Sequence, residues 1–501
     1  MKNVLATVLL VLCVVSSEAA YTEFYTDFTN GDNLNSGSTT NAAATISYTS
    51  SIVANGWDST TGIFTVATGN PASAGIPLNE WASVYVTAGA TVATFVARIT
   101  ATNATTITVS LSAKSGTAPA TDSLGATTIR VGGVWKGPNA AVNFPFGFVA
   151  NTMTNLNTGI ASGLFPRVNL KATATYAITA QITASTTGPI VWQGMTAWGT
   201  AGDLGKATID CATAGAGVAL LTASGLNNNF LDLIFSNSGA TSGTSDGVTI
   251  TALECTFTRV VVHDVRANGF ILNSGLGAMF TECEAYLCNK ANIAVDGGWF
   301  LNGTGAILIR CISHDNAGNG SAGFAVAGTA NYLINCIADT CGASGFYLQS
   351  TVNTVLIGCD AYNNTGSGID LIGSTATGVV IQNCNLIKNG AWGINSSGGT
   401  SRNGLIMNCG FGVGTQVNVS GDIFTTRIGA IQVVSSVSYP TGLTPWVDPA
   451  NGDFRINLPQ ARAVGRGTFT QTQASYAGTV AYPDIGAGQH RPAVLSYPFS
   501  Q

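Results

Sequence analysis

The chain has 501 residues, of which only 9% are charged, and a formal net charge of −5 with a pI near 5.1. An acidic surface with few lysines and arginines does not attract a phosphate backbone, so we expect no nucleic-acid partner. After the amino terminus no apolar run approaches the ~18 residues of a membrane span, so none is expected.

The first 20 residues are typical of a secretory signal peptide. Lys2 precedes an apolar run from Val4 to Val15, and Ser17-Glu18-Ala19 places small residues where signal peptidase cleaves. We therefore interpret residues 1–20 as a signal peptide. The mature protein is predicted to be secreted and to act in the extracellular space or at the cell surface.

Residues 21–160 contain alternating apolar and polar runs that begin at Gly62, Trp81, Ala93 and Thr105 and are bounded by Gly, Asn and Pro. Such alternation predicts strands with one buried face. We expect a small antiparallel β-domain, either a barrel or a sandwich. It would also cap the adjoining part of the chain by covering unpaired strand edges.

Residues 161–420 repeat with a fixed period. Six cysteines recur at intervals of 23 to 28 residues, each inside a short apolar run: Cys283, Cys311, Cys336, Cys359, Cys384 and Cys409. Taking each cysteine as position zero, which we call the slot, two earlier coils fit with Leu233 and Val260 in it. Asparagines align at position +5 (Asn316, Asn364, Asn389) and glycines at +9 (Gly269, Gly345, Gly368, Gly393). A period of this length is typical of a solenoid, in which neighbouring coils stack to make a core.

Apolar or small residues at 0 and +2, with mostly polar residues at −1, +1 and +3, predict a strand with one buried face. The coils are poor in helix-forming periodicity, so the sequence favours a parallel β-solenoid over helical repeats. The +5 asparagines are expected to adopt a left-handed conformation at a turn and to hydrogen-bond the asparagine of the next coil.

The slot cysteines are predicted to point inward from adjacent parallel strands, which suits a stack of buried thiols better than disulfides. We therefore expect mostly unpaired cysteines and no metal site, because the cysteines are not grouped as in zinc motifs. No cofactor is expected. For four other cysteines the sequence leaves the disulfide state open: Cys211, Cys255, Cys288 and Cys341.

Over roughly residues 165–420 these repeats resemble the right-handed parallel β-helix proteins of the pectate-lyase-like superfamily. Phe24–Gly37 is similar to the opening of many secreted β-helix proteins, and Val447–Arg455 is similar to their closing segment. The resemblance implies an all-β fold, a right-handed parallel β-helix, with the proline-rich residues 421–501 as a C-terminal capping segment. That architecture carries lyases, hydrolases, phage tailspikes, adhesins and inert surface proteins.

Positions −1, +1 and +3 collect two of the three histidines and much of the charge on one outward face. We call these ten residues the candidate strip: Arg259, His263, Glu282, Glu284, Tyr286, Arg310, His314, Asp339, Asp360 and Tyr362. One interpretation is a sugar-binding or catalytic groove with aromatic rings for stacking and carboxylates for acid–base chemistry. The other is a set of ion pairs between coils on an exposed sheet.

Two functions stay open at this point. The first is a structural or adhesive protein that self-associates into an oligomer or fibre, or binds surface polysaccharides. The second is a polysaccharide lyase or glycoside hydrolase, with His314 or His263 as the base, Arg310 stabilising charge, and Glu282 or Asp339 assisting. Arg259, Glu284, Tyr286, Asp360 and Tyr362 would then bind substrate.

The first function is favoured because the resemblance is not matched by the superfamily's catalytic motifs. Polygalacturonase-like hydrolases carry adjacent aspartates and a Gly-His-Gly, and the chain has neither. The acidic clusters that hold calcium in pectate-lyase-like enzymes are replaced here by scattered aspartates: Asp264, Asp296 and Asp315.

Overall fold

The computed structural model describes part of the chain. The described residues are 22–26, 45–88, 91–116, 126–132, 166–173, 175–178, 181–184, 190–196, 205–211, 219–237, 245–274, 276–292, 297–316, 318, 320–349, 351–371, 376–396, 404–407, 409–411, 417–418, 431–434, 437–438, 446–448 and 453–456. They form strands and one short 3₁₀-helix, Ala72–Ala74. The signal-peptide interpretation of residues 1–20 lies outside them.

The chain divides into two compact units, one drawn mainly from residues up to 174 and the other from Thr175–Ala184, Thr208–Leu226 and Phe230 onward. The first unit contains a closed antiparallel barrel, which confirms the predicted amino-terminal β-domain. Its strands are Thr45–Asp58, Ile63–Val66, Trp81–Ala88, Thr91–Thr102, Thr106–Gly116 and Ala126–Gly132. Trp57, Phe64 and Phe95 pack together at its centre, with the stacked rings of Trp57 and Phe64 4.1 Å apart.

The first unit also contains three parallel strands, Thr22–Thr26, Pro166–Lys171 and Ile190–Met195. The first two pair in parallel register, and Arg167 on one strand donates to Glu23 on the other over 3.1 Å. The strand Thr22–Thr26 is thus paired with a strand that lies far from it in the sequence.

The second unit is a parallel β-solenoid of three sheets, as the coil period predicts. The first sheet precedes the slot and contains Thr256–Thr258, Met279–Thr281, Ile307–Ile309, Tyr332–Ile334, Val355–Ile357, Val379–Gln382, Gly404–Met407 and Ile431–Val434, with Asn228–Leu231 before them. The second follows the slot and contains Thr175–Ala177, Ala207–Asp210, Leu233–Ser236, Val261–His263, Glu284–Tyr286, Ile312–His314, Ile337–Asp339, Asp360–Tyr362, Asn385–Ile387, Gly410–Phe411 and Val437–Ser438.

The third sheet follows the +9 glycines. Its strands are Ile182–Ala184, Leu221–Ala223, Val248–Ile250, Phe270–Leu272, Gly297–Leu301, Ala322–Val326, Phe346–Leu348, Ile369–Asp370, Ile394–Asn395 and Val417–Asn418. One further antiparallel pair, Trp446–Asp448 with Asp453–Ile456, lies near the carboxyl terminus. Most of residues 421–501, predicted to form a cap, lie outside the described residues. In the described part of the chain no helix is long and apolar enough to cross a membrane.

Each of the seven coils from Leu233 to Cys384 turns at three left-handed corners spaced five residues apart. The corner residues stand at −6, −1 and +4 from the slot and have φ between 49° and 72°. Only four of these corner positions are glycine, namely Gly277, Gly305, Gly358 and Gly378. Elsewhere the corner carries Asn, Asp or another residue with a side chain, and each residue other than Asn and Asp costs roughly 1–2 kcal/mol there.

The +5 asparagines stack in a column, but they do not occupy the left-handed corner. The structure puts that conformation one residue earlier, at +4. The asparagine side chains instead bridge the coils. Asn316 accepts from the backbone N–H of Cys288 (2.9 Å), Asn364 accepts from that of Cys341 (3.0 Å), and Asn364 donates to Asn389 (2.9 Å). Buried backbone groups at this turn thereby gain partners.

The slot cysteines form the expected buried column, and none of the cysteines that the structure describes forms a disulfide. Each slot thiol donates to the carbonyl of position −3 in the preceding coil, as Cys359 does to Leu333 over 3.3 Å. Cys288 and Cys341 stand two coils apart on either side of Asn316. Burial raises the pKa of Cys341 to about 12, so the thiolate is disfavoured and this cysteine is chemically inert.

Candidate functional site

The candidate strip follows the second sheet and the −1 corner that leads into it. Parallel register places His263, Tyr286, His314, Asp339 and Tyr362 one above another at +3. Glu284 and Asp360 lie in the neighbouring +1 column, with Ile312 and Ile337 between them. The fold therefore brings the predicted residues onto one face, because residues one coil apart are separated by only ~4.8 Å.

The −1 corner carries ion pairs between successive coils. Arg259 donates twice to Asp232, over 2.6 and 2.7 Å, and Arg310 pairs with Glu282 at 2.7 Å. Asp232 is almost fully buried, whereas Arg310 and Glu282 are each about two-fifths exposed. The guanidinium groups of both arginines are therefore occupied by carboxylates of the same column.

His314 has both ring nitrogens bound to carboxylates. Its Nε2 lies 2.9 Å from Glu284 Oε1, and its Nδ1 lies 2.8 Å from Asp315 Oδ2. Burial disfavours the charged ring, but the hydrogen bonds and charges of Glu284 and Asp315 outweigh it and raise the pKa of His314 above its usual 6.5. A protonated imidazole that donates from both nitrogens has no lone pair with which to accept a proton.

Tyr286 is enclosed between two histidine rings. The centroids of His263 and Tyr286 are 4.8 Å apart, those of Tyr286 and His314 are 5.0 Å apart, and both pairs are inclined by 13°. Both faces of the Tyr286 ring are consequently covered by protein. A sugar cannot stack on either face, so Tyr286 does not serve as the expected aromatic platform.

His263 belongs to a second charged cluster. Its Nδ1 lies 2.7 Å from Asp264 Oδ2, and Lys290 donates to the other oxygen of Asp264. Burial opposes ionisation of that carboxyl, yet the hydrogen bonds from Lys290 and His263 lower the pKa of Asp264. The cluster is thus a salt-bridged corner between the coils at Val260 and Cys283.

Asp339 differs from Glu282 and Glu284, which pair with Arg310 and His314. Its described hydrogen bond comes from the Thr340 hydroxyl, 2.9 Å away. Burial, together with the charge of Asp315, outweighs that bond and the charge of His314 and raises the pKa of Asp339 to about 6. Below about pH 6 Asp339 therefore holds a proton that it can release.

Two predicted binding residues, Asp360 and Tyr362, lie at the expected positions but are covered, with 0% and 3% exposure. Asp360 accepts from the Asn385 amide at 3.0 Å, and the Tyr362 hydroxyl accepts from Lys388 at 2.8 Å. Sequence alternation cannot reveal this burial, because it depends on what covers the outer face of the sheet.

The sequence analysis treated Asp264 and Asp315, at the +4 corner, as scattered aspartates and missed their pairing with the histidines of the strip. A signal was present, since each follows a histidine and the His-Asp pair occurs at the same place in two coils. Across the described residues no group of histidines, cysteines and carboxylates could hold a metal ion.

Residues 242–411 and 297–441 match the family model for the right-handed beta helix region. This region is a right-handed parallel β-helix. None of the curated proteins matches the chain.

The chain is similar to a number of solved structures, which include the following three. Pectate lyase Pel9A is 17% identical, with a TM-score of 0.46 over 65% of this chain and 88% of that one. The A-module of mannuronan C-5 epimerase AlgE4 from Azotobacter vinelandii is 13% identical, with a TM-score of 0.36 over 60% and 96%. The gp42 tailspike of Acinetobacter phage vb_AbaP_AS12 is 13% identical, with a TM-score of 0.30 over 56% and 58%.

Proposed function

We propose that this β-helix is a secreted structural or adhesive protein that binds surface glycans. The observation that carries the proposal is the mutual neutralisation of the candidate strip. Arg259, Arg310 and His314 are each held by carboxylates within the protein. A surface whose charges are satisfied internally stabilises the stacked coils and leaves little free charge for acid–base chemistry.

Secretion is part of the proposal and is supported by the signal-peptide pattern of residues 1–20. Only 9% of the residues are charged, so the chain is poorly suited to attract a polyanion in solution. This supports binding to a surface instead. A neutral glycan is thus a better partner for this chain than an acidic one.

Self-association into an oligomer or fibre also belongs to the proposal. Leu226, Leu253 and Leu276 stand at −7 in successive coils and are 37%, 39% and 50% exposed. A column of exposed leucines supports contact with a second copy. Light scattering at increasing concentration tests this, and a strictly monomeric mass at high concentration would contradict it.

One observation favours a second function, a polysaccharide lyase or glycoside hydrolase. Asp339 has a pKa raised to about 6, which is suited to a general acid. In that case Asp339 would donate the proton, and His314, with both nitrogens occupied, would position the strip rather than act as the base.

The two functions are separated by assaying binding and turnover on the same protein. A glycan array measures binding, and reducing-sugar release together with absorbance of unsaturated products measures cleavage. If the protein is adhesive, it should bind glycans without cleaving them. The enzymatic function would replace the adhesive one if the protein showed turnover and Asp339→Asn or His314→Ala abolished it. Both variants must keep the wild-type melting temperature.

A further inference from the structure

The outer face of the first sheet is apolar over six successive coils. In each strand the residue at −3 from the slot is buried, and the residues at −4 and −2 on either side of it point outward and are partly exposed. Parallel register stacks these outward residues in two columns. We call the following eleven residues the apolar face: Met279, Thr281, Ile307, Ile309, Tyr332, Ile334, Val355, Ile357, Val380, Gln382 and Leu405. None of them is charged, and all but Thr281 and Gln382 are apolar or aromatic.

Polar groups border the apolar face on two sides. In the coil before Met279 the outward residues of the same sheet are Thr256 and Thr258. Along the −1 corner, Glu282 and Arg310 form their ion pair at 2.7 Å. A contiguous apolar surface with a polar border is typical of a surface that is covered by a partner.

The size of the apolar face indicates what kind of partner can cover it. Six coils spaced ~4.8 Å apart make it about 29 Å tall, and strands of three residues make it ~10 Å wide. The resulting area of roughly 300 Å² is less than half of the ~800 Å² that each partner contributes to a standard interface between separate molecules. A segment of the same chain needs less area, because its tether keeps its local concentration on the order of millimolar.

Residues 491–501 have the sequence expected of such a segment. Leu495, Tyr497 and Phe499 stand at every second position, so an extended backbone would place all three on one side. At ~3.1–3.3 Å per residue the segment spans roughly 35 Å, close to the height of the apolar face.

Two prolines of this segment, Pro492 and Pro498, favour the same arrangement. Proline disfavours a helix and cannot donate to a strand ladder, so the segment is better suited to lie across the face of a sheet than to join its edge. The length of the connection is sufficient as well. The first sheet ends with Ile431–Val434, which pairs with Gly404–Met407, and the roughly 60 residues from there to Leu495 can reach up to ~200 Å.

We propose that residues 491–501 of the same chain lie along the apolar face, parallel to the solenoid axis, with Leu495, Tyr497 and Phe499 packed against its isoleucines. Removal of apolar surface from water on both sides of the contact drives the association. The contact also shields this sheet from pairing face to face with another molecule. It does not depend on the adhesive function.

Photo-cross-linking of the full chain tests this contact. Tyr332 lies in the apolar face, and Tyr347 points outward from the third sheet of the same coil; both are partly exposed. Each is replaced in turn by the photo-cross-linker benzoylphenylalanine, which keeps an aromatic ring at the position. After irradiation, mass spectrometry should find the probe at position 332 joined to a peptide within residues 491–501 of the same molecule. The probe at position 347 should not join that peptide.

Leu495→Glu and Val494→Glu are the matched variants of the segment, because an extended backbone turns neighbouring side chains to opposite sides. With the probe at position 332, Leu495→Glu should lower the yield of the cross-link about tenfold, whereas Val494→Glu should change it less than about twofold. All proteins are compared at equal melting temperature.

Three results would overturn the proposal. A cross-link between two chains, visible as a doubled mass on a denaturing gel, would assign the apolar face to a second copy. A probe at position 332 that joins another peptide, or none, would show that residues 491–501 do not cover the face. Equal loss of the cross-link in both segment variants would contradict the packing of Leu495 against it.

Discussion

At the scale of single residues, the chemistry of the candidate strip is decided by which carboxylates have a cation beside them. Glu282 and Glu284 have one, at 2.7 and 2.9 Å. Asp339 stacks next to His314 in register, but in the described structure its hydrogen bond comes from a neutral hydroxyl. It is therefore a carboxylate of the strip for which ionisation is costly.

Replacing Asp339 with Asn should stabilise the protein at neutral pH. Its folded-state pKa, about 6, lies above the usual 3.8, so the unfolded state loses its proton first and stability falls as pH rises from about 4 to about 6. A shift of this size corresponds to about 3 kcal/mol. Solvent screening reduces that to ~1–2 kcal/mol.

Urea unfolding of wild type and Asp339→Asn at pH 4, 6 and 8 measures this difference. The gain should be absent near pH 4 and full by pH 8. A variant that is less stable than wild type at pH 8 would show that the carboxylate has a stabilising partner after all.

The contribution of His314 has the opposite origin. Its pKa is raised because the charged ring donates to Glu284 and Asp315, so this stability is full below the unfolded pKa of about 6.5 and is lost as pH rises through the folded value. Glu284→Gln should therefore destabilise by ~0.5–1 kcal/mol at pH 6 and by less at pH 9.

The matched control is Glu282→Gln, which breaks the pair with Arg310 and leaves the histidine untouched. Its cost should not change between pH 6 and pH 9, because arginine does not titrate there. NMR titration of the His314 ring should show a lowered pKa in Glu284→Gln alone. Equal pH dependence in both variants would contradict the assignment.

At the scale of one coil, the sequence indicates strands, their inward faces and the cysteine column, because alternation and period are local properties. It indicates a left-handed corner at +5, one residue from the observed corner at +4, and gives no sign of the corners at −6 and −1. The corner at −1 is occupied by large side chains in successive coils, namely Arg259, Glu282 and Arg310. The ion pairs that these residues make between coils offset part of the strain, and such a balance of packing against local preference is not visible in a pattern of residue types.

Ala330 tests the corner at −6, where neighbouring coils carry Gly305 and Asn353. With a φ of 54°, an alanine here costs roughly 1–2 kcal/mol of strain, which glycine would remove. Against this, the greater unfolded-state entropy of glycine destabilises the folded protein by ~0.4–1 kcal/mol. Ala330→Gly should accordingly raise the free energy of unfolding by ~0.5–1 kcal/mol. Ala338→Gly, in a buried strand, should lower it by about 1 kcal/mol or more. Chemical denaturation of both variants decides the matter, and a destabilising Ala330→Gly would argue against a left-handed corner there.

At the scale of the molecule, the solenoid and the shared face of the strip are predictable because one period governs every coil. What covers that face is not predictable. Asp360 and Tyr362 follow the same pattern as Glu284 and Tyr286 but are buried. Pairings between distant segments, such as Thr22–Thr26 with Pro166–Lys171, likewise leave no trace in the repeat.

If coils contact only their neighbours, removing one whole coil should leave a folded protein. Deleting residues 336–358 takes out the 23 residues between two slots and joins Asn335, a corner residue, to Cys359. The cysteine, asparagine and corner columns then remain in register, with Cys359 above Cys311. We expect cooperative unfolding and a melting temperature within about 10 °C of the full chain, or about 3 kcal/mol.

The control deletion removes residues 336–347, half of the same coil. It places Leu348, an inward residue of the third sheet, at the slot and puts every later residue out of register with the coils before it. That protein should be insoluble or unfold without cooperativity, as judged by circular dichroism and calorimetry. The half-coil shift should be destabilising because it replaces thiols by larger side chains and leaves the asparagine bridges without partners. If the two deletions were equally stable, the coils would not require column-by-column stacking.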